Sequence, residues 1–153
     1  MKTFESAAIL QSTQERLGAI TPDSPRQWGR MTAHQMVCHL SDSFEVSMGG
    51  MTVSMATGLP QRTVMKFGAL YVPLRWPKGA QTRPEIDQAA GGGTQPADFE
   101  RDRARLLAAM RRFAASKPDF EWHVHPFFGN MSRWEWMRWG YLHADHHLRQ
   151  FGG

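Results

Sequence analysis

The chain has 153 residues, 41% hydrophobic and 21% charged, a balance that gives one globular domain with a single core and excludes a disordered chain or a bilayer-spanning one, since no apolar run approaches ~20 residues. The start, MKTFESAAIL, meets Glu5 before any long apolar core, and the single cysteine makes no internal disulfide, so a cytoplasmic protein with neither secretory leader nor disulfide scaffold is expected. A net charge of +4 and a pI near 9.7 raise the nucleic-acid class, but the basic residues are dispersed, and no nucleic-acid or membrane partner is expected.

A first helix is predicted from about Thr3 to Leu17, with Ala7, Leu10 and Leu17 on one side. Gly18 and TPDSPR then stop the pattern. The second helix opens with Thr32 and Gln35 in capping-box spacing, and Val37, Leu40 and Phe44 recur on its inward face. Gly49-Gly50 interrupts it, with a resumption through MTVSMATG left open.

Residues 58–93 read as a long crossover rich in proline and glycine. Val64, Met65, Phe67, Leu70, Tyr71, Val72, Leu74 and Trp76 are expected to pack it on the body, with a short helix near Val64 to Tyr71. Only its tail, AAGGGTQ, has linker composition. A third helix is expected from about Pro96, with Phe99, Leu106, Met110 and Phe113 on one stripe and Lys117-Pro118 as the stop. Its ERDRARLLAAMRR stretch is the densest basic group, yet Glu100 and Asp102 accompany the arginines, as on a solvated face with local ion pairs.

The fourth helix has the clearest start. Ser132 and Glu135 make a second capping box, and Met131 and Trp136 are placed for a hydrophobic staple. From there to Phe151 only Gly140 breaks the pattern. Four substantial helices without a strand hairpin predict an all-α bundle with one long crossover.

On this last helix, with His143 at zero and about 100° per residue, His147 falls at about +40°, Gln150 at about −20°, Trp136 at about +20° and Trp139 at about −40°. A stripe bearing two tryptophans faces the core, so both imidazoles and the amide face inward and need partners. The i, i+4 pair places both rings where they can reach one cation. His39, mid-helix beside Val37, Leu40 and Phe44, is the best third ligand, although a core histidine bonded to a backbone carbonyl explains it as well. Asp42, one turn later, either assists an imidazole or bound water, or sits at the surface.

Other polar residues read more blandly. His34 is expected on another, solvent-facing side of the second helix, and His146 at the periphery of the stripe. Cys38 is a small packing residue, because adjacent helix side chains diverge by about 100° and adjacency to His39 makes no dyad. His123 and His125 alternate in EWHVHP and suit an exposed or structural segment before proline. Trp28, Trp122 and Trp134 suit packing or an interface.

The segments WGRMTAHQMVCHL, with its helix-2 HLSD, and HPFFGNMSRWEWMRWGYLHADHHLRQFG resemble the DinB-like (YfiT-like) superfamily of four-helix metalloproteins. The C-terminal HADHHLRQFG resembles one branch of it in particular. The resemblance implies an up-down-down-up four-helix bundle with the long crossover between helices two and three. It implies His39, His143 and His147 as the ligands of one divalent cation, zinc or nickel, with open positions for water. Gln150 then orients a ligand from behind; Asp42, placed only by its spacing from His39, is the other candidate supporting or substrate-facing group.

In function, the resemblance implies a metal-dependent hydrolase or thiol-dependent transferase acting on a small molecule, with a low-molecular-weight thiol among its partners. The competing class is a non-catalytic binding or structural protein whose histidines are merely hydrogen-bonded. An exposed apolar helix face would make either a homodimer.

Overall fold

The computed structural model describes residues 1–153, and its regular structure is entirely helical apart from one isolated bridge between His125 and Gly129. Five α-helices follow in order: α1 (Ala7–Gly18), α2 (Ala33–Ser47), α3 (Lys66–Tyr71), α4 (Phe99–Ala114) and α5 (Arg133–Arg149). No helix is long and apolar enough to cross a membrane.

Local chemistry fixes the helix starts. Both capping boxes form as the spacing predicts: Thr32 with Gln35, and Ser132 with Glu135, each pair exchanging side-chain and backbone bonds. Ser6 caps α1 and Asp98 caps α4, so these helices begin later than the hydrophobic pattern alone suggests. A free N-terminal amide needs an acceptor, and Ser6 and Asp98 supply it.

The four long helices close on one core. Leu17, Met36, Leu40, Phe44, Leu106, Met110, Phe113, Trp136, Met137 and Leu148 are all buried in it. Removing each such side chain from water contributes about 1.5–3 kcal/mol. α2 lies along α4 and α1 along α5. His39 meets His143 and His147, while Phe44 further along α2 meets Trp139. α2 and α5 therefore run in opposite directions past each other.

The possible resumption through MTVSMATG does not form. The short helix expected near Val64 to Tyr71 is present as α3, preceded by a π-helical turn, Gln61–Met65, continuous with it. One expectation for the crossover needs correction. Its apolar residues divide: Leu70 is buried and Ala69 and Trp76 pack on the core, but Leu59, Val64, Met65, Phe67 and Leu74 face solvent. A single helix buries only one face, and this one covers α5 with the Leu70 side.

The expected flexible tail is instead tied down. A 3-10 turn, Gln88–Ala90, takes in its two alanines, and Thr94 bonds Asp42 through both its amide (2.7 Å) and its hydroxyl (2.9 Å). Gly93 has φ +63, and a Cβ there would lie 2.6 Å from Asp42 Oδ2. The glycine is needed for close approach, not for flexibility.

Candidate metal centre

α2 and α5 bring His39, His143 and His147 together, with their candidate ligand nitrogens all within 4.8 Å of one another. The Nε2 of His143 stands 3.4 Å from that of His39 and 3.1 Å from that of His147. Trp136 and Trp139 are buried on the same side of α5, so the tryptophan-bearing stripe does face inward. His39 is buried, whereas His143 and His147 keep part of their surface open.

The outer nitrogens decide the tautomers. His39 Nδ1 lies 2.7 Å from the carbonyl of Ile86, which only accepts, so Nδ1 carries the proton and donates it. His147 Nδ1 donates likewise to Gln150 Oε1 at 2.6 Å. In neutral rings both Nε2 atoms are then bare lone pairs aimed at His143. His143 Nδ1 has no protein partner. One proton on His143 Nε2 satisfies at most one of its two neighbours well.

A cation resolves this better than a proton. Three imidazole nitrogens on a tetrahedral ion at ~2.0–2.1 Å stand about 3.3–3.4 Å apart, close to the observed 3.1 and 3.4 Å. Proton affinity points the same way. Burial pushes the His39 imidazole below its ordinary range, despite the Ile86 bond and the Asp42 charge that favour its protonation. Burial pushes His143 and His147 well below theirs, and the neighbouring imidazoles add to it. The donor set therefore fits a divalent cation: neutral, desolvated and, at His39 and His147, oriented from behind.

A family model described as "Protein of unknown function (DUF1569)" matches residues 8–152. The chain belongs to the DUF1569 family. Comparison with curated proteins and with solved structures finds no match. The matched span of the DUF1569 protein includes all three histidines and Gln150.

Around the triad, the DUF1569 chain departs from the sequence reading at several residues. Asp42 is completely buried but serves another purpose. Its carboxylate accepts from Gln88 Nε2 (2.7 Å), Thr94 and Arg105 (2.9 Å), fastening the crossover to α2 and α4. His34 does not face solvent: α4 packs over it, and its Nε2 bonds Asp102 Oδ2 at 2.8 Å. His146 is only 4% exposed, because Trp28 and Trp76 cover it. Cys38 is buried as expected. His123 is exposed, while His125 is buried and its Nδ1 accepts from the Phe127 and Phe128 amides at 3.2 and 3.1 Å.

Two residues beside the triad were not assigned to it by the sequence reading. The Ile86 carbonyl is aimed at His39 by the 3-10 turn Pro84–Ile86, and no side-chain pattern reveals a backbone acceptor. Trp76, whose indole donates to Ala69 O at 2.9 Å, flanks His143 with a centroid separation of 6.1 Å. The sequence reading has it packing the crossover on the body, as it does, but not beside His143.

Proposed function

We propose that this DUF1569 protein is a DinB-like metalloprotein, a four-helix bundle in which His39, His143 and His147 hold one divalent cation. The observation that carries the reading is the convergence of three Nε2 atoms, two of them made bare lone pairs by acceptors behind the ring. A zinc or nickel ion bound there would supply Lewis-acid activation of water, a thiol or an electrophile. That chemistry supports a metal-dependent hydrolase or a thiol-dependent transferase acting on a small molecule.

The chain's own residues supply the framework. Ile86 and Gln150 hold two rings in one tautomer, and Trp139, 4.8 Å from His143 between centroids, limits how that third ring can turn. Trp76 and Trp139 shield His143 from water on two sides, which strengthens electrostatic interactions at the open face. His143 and His147 each keep a minor part of their surface exposed.

Metal analysis of protein purified without a nickel column tests the reading. About one equivalent of metal in the parent, lost in His143→Ala and His147→Ala, is expected. Zinc at 100 times its Kd should stabilise the folded state by about 2.7 kcal/mol, which for a chain of this size is a rise of roughly 5–10 °C in Tm. Substoichiometric metal, unchanged in the variants and without thermal effect, would favour the non-catalytic class with hydrogen-bonded histidines.

A further inference from the structure

Another face of α2 carries a different donor set. His34 and Cys38 stand at i and i+4, and Asp102 from the first turns of α4 meets them. We propose that His34, Cys38 and Asp102 form a second cation site, one that binds a borderline-soft divalent ion such as zinc through a thiolate.

The geometry suits that ion. Asp102 Oδ2 is 2.8 Å from His34 Nε2 and 3.7 Å from Cys38 Sγ, and the three candidate ligand atoms lie within 4.8 Å of one another. Around tetrahedral zinc, bonds of ~2.0–2.2 Å to nitrogen and oxygen and ~2.3 Å to sulfur give edges of about 3.3–3.6 Å. The sulfur–oxygen edge is already near this length. The nitrogen–oxygen edge must open by about half an ångström, and His34, with 18% of its side chain exposed, is the least buried of the three ligands. The same opening admits the ion and leaves room for water as a fourth ligand.

The Cys38 side chain is fully buried, and Asp102 Oδ2 is the acceptor its thiol faces. Binding forms bonds from the ion to His34 Nε2, Cys38 Sγ and Asp102 Oδ2. It breaks the S–H bond, whose proton leaves to water, and shifts the His34 proton from Nε2 to Nδ1. Thiolate and carboxylate together neutralise the dication, so no net charge is buried.

Without a cation these groups satisfy one another by hydrogen bonds, so the thiolate itself is the observable. Cys38 is the sole cysteine; any thiolate-to-cobalt charge-transfer band belongs to it. Metal-stripped full-length protein titrated with Co²⁺ should bind two equivalents and develop that near-ultraviolet band. Cys38→Ser should abolish the band and leave one equivalent bound. His34→Ala, which keeps the thiol and changes a partly exposed side chain, should weaken cobalt binding at this site at least tenfold, and it stands in should Cys38→Ser not fold by circular dichroism. A His143→Ala/His147→Ala double variant should lose one equivalent and keep the band. No band at saturating cobalt, or a band that disappears with the double variant, overturns the proposal. Neither result depends on whether the triad binds metal.

Discussion

His147 gives its Nδ1 proton to Gln150 Oε1 across 2.6 Å, which leaves His147 Nε2 bare at 3.1 Å from His143. The residue is itself held. The Gln150 backbone carbonyl accepts from Gln27 N at 2.7 Å, and a Cβ on Gly29 would lie 2.7 Å from the side-chain Nε2 of Gln150. Gln150 therefore fixes the tautomer and orientation of a candidate ligand from behind its ring. Replacing such a supporting group typically weakens metal binding about 10–100-fold. Gln150→Leu should show a loss of that size in a zinc competition titration, with the helical circular dichroism signal unchanged. An affinity within threefold of the parent would remove Gln150 from the centre.

Asp42 has the opposite character. Its fully buried carboxylate joins Gln88, Thr94 and Arg105, so it secures the crossover and not the triad. Removing one partner of a buried charge pair costs about 3–5 kcal/mol. Because Arg105 stays partly exposed, Asp42→Ala belongs at the lower end, about 3 kcal/mol, read from urea denaturation at neutral pH. If the variant kept its stability and lost zinc affinity instead, Asp42 would have to be reassigned to the metal.

The contrast between Gln150 and Asp42 shows what the amino-acid pattern carries. Helix periodicity on α5 placed Trp136, Trp139, His143, His147 and Gln150 on one inward stripe, and the two capping boxes marked where α2 and α5 begin. These are local properties, repeated every turn. Whether Asp42 faces the triad or the crossover depends on where Gln88 and Thr94 arrive from some fifty residues away, and no local period encodes that. His34 and His146 were misplaced for the same reason: α4 and Trp76 cover them through tertiary packing. The glycine-rich tail misled because AAGGGTQ has the composition of a linker, whereas Gly93 is there to let Asp42 approach.

His125 supplies a dependence on pH away from the ligands. Its Nδ1 accepts two backbone amides, and burial, with the Lys66 charge adding to it, lowers its pKa from 6.5 to about 3. Between those values the unfolded chain binds a proton that the folded chain refuses. The contribution to stability is complete above pH 6.5 and falls by about 1.4 kcal/mol per pH unit as the solution is acidified toward 3. His125→Asn keeps an acceptor for the two amides and cannot be protonated in this range. Between pH 7 and pH 5 the variant should lose about 2 kcal/mol less stability than the parent in urea denaturation. Equal losses would mean that His125 charges in the folded protein.

Gly140 interrupts an otherwise strong helix pattern, and propensity alone predicts that alanine there stabilises α5 by about 1 kcal/mol. Packing opposes this. A Cβ at Gly140 would lie 2.8 Å from Phe113 Cε1 and 3.1 Å from both Phe113 Cζ and Phe4 Cδ2, and both rings are buried. Phe113 is also held against Phe44, Trp122 and Trp139, so it has little room to withdraw. Overpacking of this kind costs about 1–3 kcal/mol, enough to cancel the propensity gain and exceed it. Gly140→Ala should therefore be destabilised by about 1 kcal/mol, a fall of roughly 2–4 °C in Tm for a chain of this length. Since Gly140 precedes His143 by one turn of α5, a shift of this helix also displaces the ligands, and zinc affinity should fall with stability. A variant as stable as the parent, or more so, would show that the Phe113 ring yields and that the glycine is not required for Phe4 and α4 to approach α5.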